Sequence, residues 1–110
     1  DSLDMQDTDR VKILDACSSA AAGSILVVHG TDTMRDTALV LGEASLGKTI
    51  VLTGAMIPYE FDNSDALFNF GFAAGAAQLL PHGVYVAMNG RIFDWRHVRK
   101  NRQEGCFEAV

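Results

Sequence analysis

At 110 residues, with 48% hydrophobic and 21% charged residues and a formal net charge of −5, the chain has the makeup of one small globular domain. The acidic balance argues against nucleic acid as a partner, because phosphates are bound mainly through Lys and Arg. The longest near-apolar stretch, residues 66–80, is interrupted by Asn69 and Gln78 and is too short and too polar to span a bilayer, so no membrane partner is expected. No basic segment followed by an apolar one marks a signal peptide. Cys17 and Cys106 are far apart and form no CxxC, so both are expected as reduced thiols of a cytoplasmic protein.

In chain order, the first predicted element is a helix over about residues 8–22, with Val11, Leu14, Cys17 and Ala21 on one face. The β-branched run of residues 25–28 then predicts a strand. A helix is expected over residues 32–44, with Gly47 as its stop. Residues 50–52 predict a second strand. Ser64 can N-cap a helix over residues 65–80, which Pro81 ends. Residues 84–88 predict a third strand. The three apolar runs are nearly continuous rather than alternating, so both faces of each strand are expected to be buried, as in a parallel sheet. The intervals between them leave room for helical crossovers. The expected fold class is therefore α/β, a three-layer α/β/α sandwich with a mainly parallel sheet in a Rossmann-like or flavodoxin-like order. The helix after Ser64 is apolar nearly all round, and Gly71 and Gly75 on it allow close backbone approach. It is read either as buried within its own domain or as a contact between copies in a homo-oligomer.

In open parallel sheets, ligands bind beyond the carboxyl ends of the strands. The polar clusters of this chain follow those ends: His29-Gly30-Thr31-Asp32-Thr33, then Thr53-Gly54-Ala55-Met56, then Asn89-Gly90. A threonine hydroxyl becomes a nucleophile when a base takes its proton. Lys100, with Arg96, Arg99 and Arg102 around it, is a candidate for that base, and Asp32 can hold the ammonium. Taken alone, Thr31-Asp32 also reads as a helix N-terminus, and Lys100 as a solvated charge in a basic loop.

Residues 42–49 match GxxxxGK[ST] letter for letter, yet the expected order is helix before and strand after, the reverse of a phosphate-binding loop. His29 reads as a structural residue at a strand end. His82 and His97 stand alone, and no His, Cys or Asp spacing resembles a metal site, so neither a metal nor a cofactor is expected.

Five ordered blocks now matter together: Asp1-Ser2-Leu3-Asp4-Met5; His29-Gly30-Thr31-Asp32-Thr33-Met34; Thr53-Gly54-Ala55-Met56-Ile57-Pro58; Ser64-Asp65-Ala66 with Asn69; and Met88-Asn89-Gly90 leading through Asp94 and Arg96 to Lys100. On these blocks the chain resembles the bacterial-type L-asparaginase family over nearly its whole length. The resemblance implies the N-terminal α/β domain of such enzymes, hydrolysing L-asparagine to L-aspartate and ammonia, and L-glutamine more weakly. Thr31 would supply the hydroxyl at the substrate amide carbon, Lys100 would accept its proton, and Asp32 would also contact the substrate α-amino group. Ser2 would hold the α-carboxylate. The backbone around Gly30, Thr31 and Ala55 would cradle the side-chain amide.

The chain departs from the family pattern in four places. A second threonine in a TGGT-type motif, followed by a loop with a tyrosine, is absent from residues 1–110. The smaller C-terminal domain of the family is not expected among residues 1–110 either. Leu3 stands where periplasmic forms commonly have glutamine, and Ile57 where arginine often follows GAM. Residues 1–110 are accordingly expected to be one asparaginase N-terminal-type domain without its first strand and flexible loop. Two further readings follow: a degenerate domain that binds an amino acid or serves assembly, and an ammonia-releasing subunit of an amidotransferase.

Overall fold

The computed structural model describes residues 2–110; Asp1, the first residue of the first block, lies outside them. A short 3-10 turn, Ser2–Asp4, leads into α1 (Asp7–Ser19), β1 (Ser24–Val28), α2 (Met34–Ala44), β2 (Thr49–Thr53), α3 (Ala66–Leu79) and β3 (Gly83–Met88). Three further strands follow: β4 (Arg91–Asp94), β5 (Val98–Asn101) and β6 (Cys106–Ala109). The main sheet has the order β1-β2-β3-β4, with β1, β2 and β3 parallel and β4 antiparallel to β3. Strands β5 and β6 form a separate antiparallel hairpin.

The expected three-layer architecture with a mainly parallel sheet is what the chain adopts. Met34, Ala38 and Leu41 of α2 pack on Ile50, Leu52, Val84 and Val86, with Cys17 of α1 in the same cluster. Ala73 and Ala77 of α3 pack on Val51 and Ala87, which point to the opposite face. The strands step in one direction while α2 and α3 cover opposite faces. The two crossovers therefore have opposite hands, and one of them is the rare left-handed form.

The structure corrects several local expectations. Helix α1 ends at Ser19 rather than near residue 22. Lys48 donates to the carbonyls of Cys17 (2.7 Å), Ser18 (3.2 Å) and Ala20, placing a cation on the negative end of that helix. The lysine of the GxxxxGK[ST] look-alike is thus engaged at a helix C-terminus, and α2 leads in while β2 leads out. Helix α2 begins at Met34 with Thr33 at its N-cap, so Thr31 lies outside the helix and does not cap it. The helix stops at Ser45, which takes a left-handed conformation (φ 49°), two residues before Gly47.

Helix α3 begins at Ala66. The Ser64 hydroxyl still accepts the Ala66 N–H at 3.1 Å, an N-terminal cap from one residue further out. Strand β1 departs from the two-face burial expected of it. Among the described residues it pairs only with β2, and Leu26 and Val28 are exposed; β2 is buried along its full length. The all-apolar α3 is wedged against the sheet by its alanines and exposes Leu67, Phe68 and Leu79.

Candidate functional site

The site forms at the carboxyl ends of β1, β2 and β3, where the parallel strands release three loops. The first, residues 29–33, is fixed from below by a hydrogen-bond chain. His29 Nδ1–H donates to the Gly30 carbonyl at 2.6 Å, which leaves Nε2 to accept the Thr37 hydroxyl proton at 2.8 Å. Thr37 in turn accepts from Arg10 Nε at 3.2 Å. Burial pushes the His29 imidazole below its ordinary pKa, and the Arg10 charge acts in the same direction, against the opposing effect of the Gly30 bond. His29 is thus a neutral residue of fixed tautomer that shapes the loop, in keeping with its structural reading.

Above this chain, Lys100 reaches over from the β5–β6 hairpin. Its Nζ donates to Thr31 Oγ1 at 2.9 Å and to Asp32 Oδ1 at 2.7 Å. The hydrogen bond from Lys100 holds the Asp32 carboxyl below its ordinary pKa, burial opposes this, and Arg102 adds to it from 3.6 Å. Thr31 is buried, at 8% exposure. In such a hydrogen-bonded set the lysine, once it has given up its own proton, can take the proton of the Thr31 hydroxyl while Asp32 fixes the amine.

Ser2 is buried at 2% exposure against the same loop. Its hydroxyl accepts the Thr33 N–H at 3.0 Å, and its carbonyl accepts the Thr33 hydroxyl proton at 2.9 Å. Gly30 is required by this packing, since a Cβ there would press on the Ser2 backbone and side chain. Ala55 lies on the loop after β2. Gly54 before it abuts the His29 carbonyl so tightly that a Cβ would overlap that oxygen.

The geometry thus brings Thr31, Asp32 and Lys100 into direct contact, sets Ser2 against Gly30, and puts Ala55 on the adjoining strand end. Arg102, expected as one of the cations around Lys100, donates to the Asp32 carbonyl at 3.4 Å. Two contributors were not assigned roles from the sequence. Arg10, buried in α1, orders Thr37 and so His29. Asp65 accepts the N–H groups of Met56 (3.1 Å) and Ile57 (3.0 Å), which tethers the Ala55 loop. The Ser64-Asp65 pair stood out in the sequence as a motif, but its contacts could not be read from spacing. Among the described residues no three His, Cys, Asp or Glu side chains are grouped to hold a metal ion, and no helix is long and apolar enough to cross a membrane.

Residues 1–109 match the family profile described as asparaginase, N-terminal. The probable periplasmic L-asparaginase of Haemophilus influenzae is 33% identical over 105 residues, covering 90% of this chain and 30% of that protein. A glutamyl-tRNA(Gln) amidotransferase component of Methanococcus vannielii is 40% identical over 74 residues, covering 66% of this chain and 17% of that protein. The thermostable L-asparaginase of Thermococcus kodakarensis superposes with a TM-score of 0.90 at 31% identity, covering 100% of this chain and 35% of the other. The chain therefore spans about a third or less of the length of these relatives.

Proposed function

The chain belongs to the asparaginase family through its N-terminal domain, and from that premise we propose that it is the amide-binding and proton-transferring part of an amidohydrolase releasing ammonia from L-asparagine, with L-glutamine a weaker substrate. The observation behind this reading is the pair of hydrogen bonds from Lys100 to Thr31 and Asp32. In the proposed cycle Lys100 first gives up a proton to solvent; the resulting amine takes the Thr31 hydroxyl proton across their 2.9 Å contact as the oxygen bonds the amide carbon, and that proton is passed on to the amide nitrogen as the C–N bond breaks and ammonia leaves. Asp32 holds the lysine and receives the substrate α-amino group. Ser2 holds the α-carboxylate, and the backbone of Gly30, Thr31 and Ala55 surrounds the side-chain amide. The family resemblance implies a second threonine that is not among these 110 residues, so turnover is expected, and every activity assay is made, in protein that also supplies that second hydroxyl.

Quantifying ammonia and aspartate formed from L-asparagine tests the reading. Equal amounts of the two products support it. Absence of ammonia together with a thermal shift by aspartate would favour instead a domain that binds an amino acid without turning it over. A second reading, an ammonia-releasing amidotransferase subunit, is favoured by the likeness to the Methanococcus vannielii protein. It predicts a partner chain that co-purifies.

We infer a homo-oligomer from the exposed Leu67, Phe68 and Leu79 of α3, an apolar surface of the kind that associates. We also infer a cytoplasmic setting, supported by the unpaired thiols Cys17 and Cys106. The Haemophilus influenzae relative carries a periplasmic description, so fractionation of cells is the direct check.

A further inference from the structure

The loop that carries Ala55 is held by a polar knot that the reaction scheme does not use. Asp65, at the N-terminus of α3, is its centre. One carboxylate oxygen accepts from the Met56 N–H (3.1 Å), Asn69 Nδ2 (2.8 Å) and Asn89 Nδ2 (2.9 Å), and the other accepts the Ile57 N–H (3.0 Å). Asn69, fully buried, also donates to the Gly54 carbonyl at 2.9 Å, and its own carbonyl accepts the Asn89 N–H at 2.9 Å. Asn89 is held in a left-handed conformation (φ 52°) at the β3–β4 turn, where a short polar side chain is tolerated. The knot therefore joins the ends of β2 and β3 to the start of α3.

Its consequence falls on Ala55. The peptide bonds are trans, so the N–H and C=O of each peptide unit point in opposite directions. The Gly54 carbonyl points at Asn69, which turns the Ala55 N–H away from the knot. The Met56 N–H points at Asp65, which turns the Ala55 carbonyl away from it as well. Ala55 thus presents both a donor and an acceptor on the side opposite Asp65. A carboxamide, with one carbonyl and one NH2, matches that pair. A carboxylate has acceptors only and would face the Ala55 carbonyl oxygen without a proton to share. The Met56 N–H is also hydrogen-bonded to an anion, which strengthens the carbonyl on the same peptide unit as an acceptor.

We propose that Asp65, acting with Asn69 and Asn89, is a positioning residue that sets the preference of this site for a carboxamide over a carboxylate by fixing the two peptide units around Ala55. The proposal rests on the amidohydrolase reading. Asp65 touches no substrate in this scheme. It works through the backbone it orders, and its effect is on discrimination rather than on binding in general.

The test compares the affinities of L-asparagine and L-aspartate by calorimetry in a Lys100→Met background, where asparagine is not consumed. Asp65→Ala removes all four acceptor contacts. Asp65→Asn keeps the volume and loses one oxygen, so it serves where the alanine variant fails to fold. The expected result is that the ratio of asparagine to aspartate affinity falls about tenfold in Asp65→Ala, a change comparable to one lost hydrogen bond, and less in Asp65→Asn. Aspartate binding itself should change little. A ratio that stays constant, with both ligands weakened equally or not at all, overturns the role of Asp65 and leaves the amidohydrolase reading standing. Failure of the Lys100→Met parent to bind either amino acid overturns that reading, and the proposal falls with it.

Discussion

Lys100 and Thr31 are 69 residues apart in the chain, yet the lysine ammonium donates to the threonine hydroxyl at 2.9 Å. The contact is long-range and joins two separate structural units. Thr31 lies just beyond the end of β1, and Lys100 on a hairpin that is not part of the main sheet. The hairpin's position therefore decides whether the reactive set is assembled.

Thr31→Val is the most direct probe of the hydroxyl. Valine keeps the β-branched shape and removes only the oxygen, while Lys100 retains Asp32 as its partner. Ammonia release is expected to fall by about three orders of magnitude or more, because residues of one catalytic set act as a unit. The melting temperature should change little. Thr31→Ser, which restores the oxygen, should recover part of the rate.

Acid should weaken the fold through its carboxylates. The Lys100 hydrogen bond holds Asp32 below its ordinary pKa. At Asp65 burial pushes the other way, but the four donated hydrogen bonds outweigh it. The native state then binds fewer protons than the unfolded chain below about pH 4, so the stabilisation is fully present above that range and is lost as pH falls through the folded-state values. Urea midpoints should be unaffected by these two groups from pH 7 to about pH 5 and should fall from there down to pH 3. Asp65→Asn should be less stable at neutral pH and show a flatter acid limb.

His29 predicts a second pH effect with its own window. Burial lowers its folded-state pKa, so below about pH 6.5 the unfolded chain takes up a proton that the native ring does not. Stability is therefore lost as pH falls from about 6.5 to the folded-state value, and is unaffected by this group above that window. His29→Gln should remove this part of the pH dependence in the same urea titration.

The glycines divide into two groups with opposite expected effects. Gly42 lies in α2 directly beneath the Trp95 ring, where a Cβ would overlap the indole. Gly42→Ala should cost about 1–3 kcal/mol by overpacking. Gly71 and Gly75 lie in α3, and an added Cβ at either meets nothing within 4 Å. Alanine there should stabilise the isolated domain by about 0.5–1 kcal/mol, through helix propensity alone. A stabilised Gly71→Ala variant that also loses self-association in sedimentation would identify α3 as the contact between copies.

The parts of the fold that could be read from the sequence are those in which one physical signal dominates. β2 is buried at every position and is correspondingly an unbroken β-branched and apolar run. β1 has the same kind of sequence, so its exposed edge is invisible in the residues. Exposure there depends on β1 having a neighbour on one side only among the described residues, and pairing of that kind leaves no mark in a strand's own sequence. The β5–β6 hairpin was hidden for a different reason. Its strands have four residues each and hold Arg99, Lys100 and Glu108, so the segment reads as a basic loop. A signal was present nonetheless. Val98 is fully buried, and strand alternation puts Lys100 on the same face, turned inward with it.

The candidate site was legible where chemistry clusters along the chain, as at Gly30, Thr31 and Asp32. Asp65 was visible only as part of a motif. What it does depends on backbone N–H groups eight and nine residues upstream, and hydrogen bonds to the main chain leave no pattern of side chains to read.

The measurement that bears most directly on the central claim is ammonia release from L-asparagine by the protein beside its Lys100→Met variant. Methionine keeps the length of the side chain and removes the amine that bridges Thr31 and Asp32. The account predicts turnover in the parent and none above background in a folded variant. Turnover that survives the substitution would show that proton transfer does not pass through Lys100, and would contradict the mechanism built on this contact.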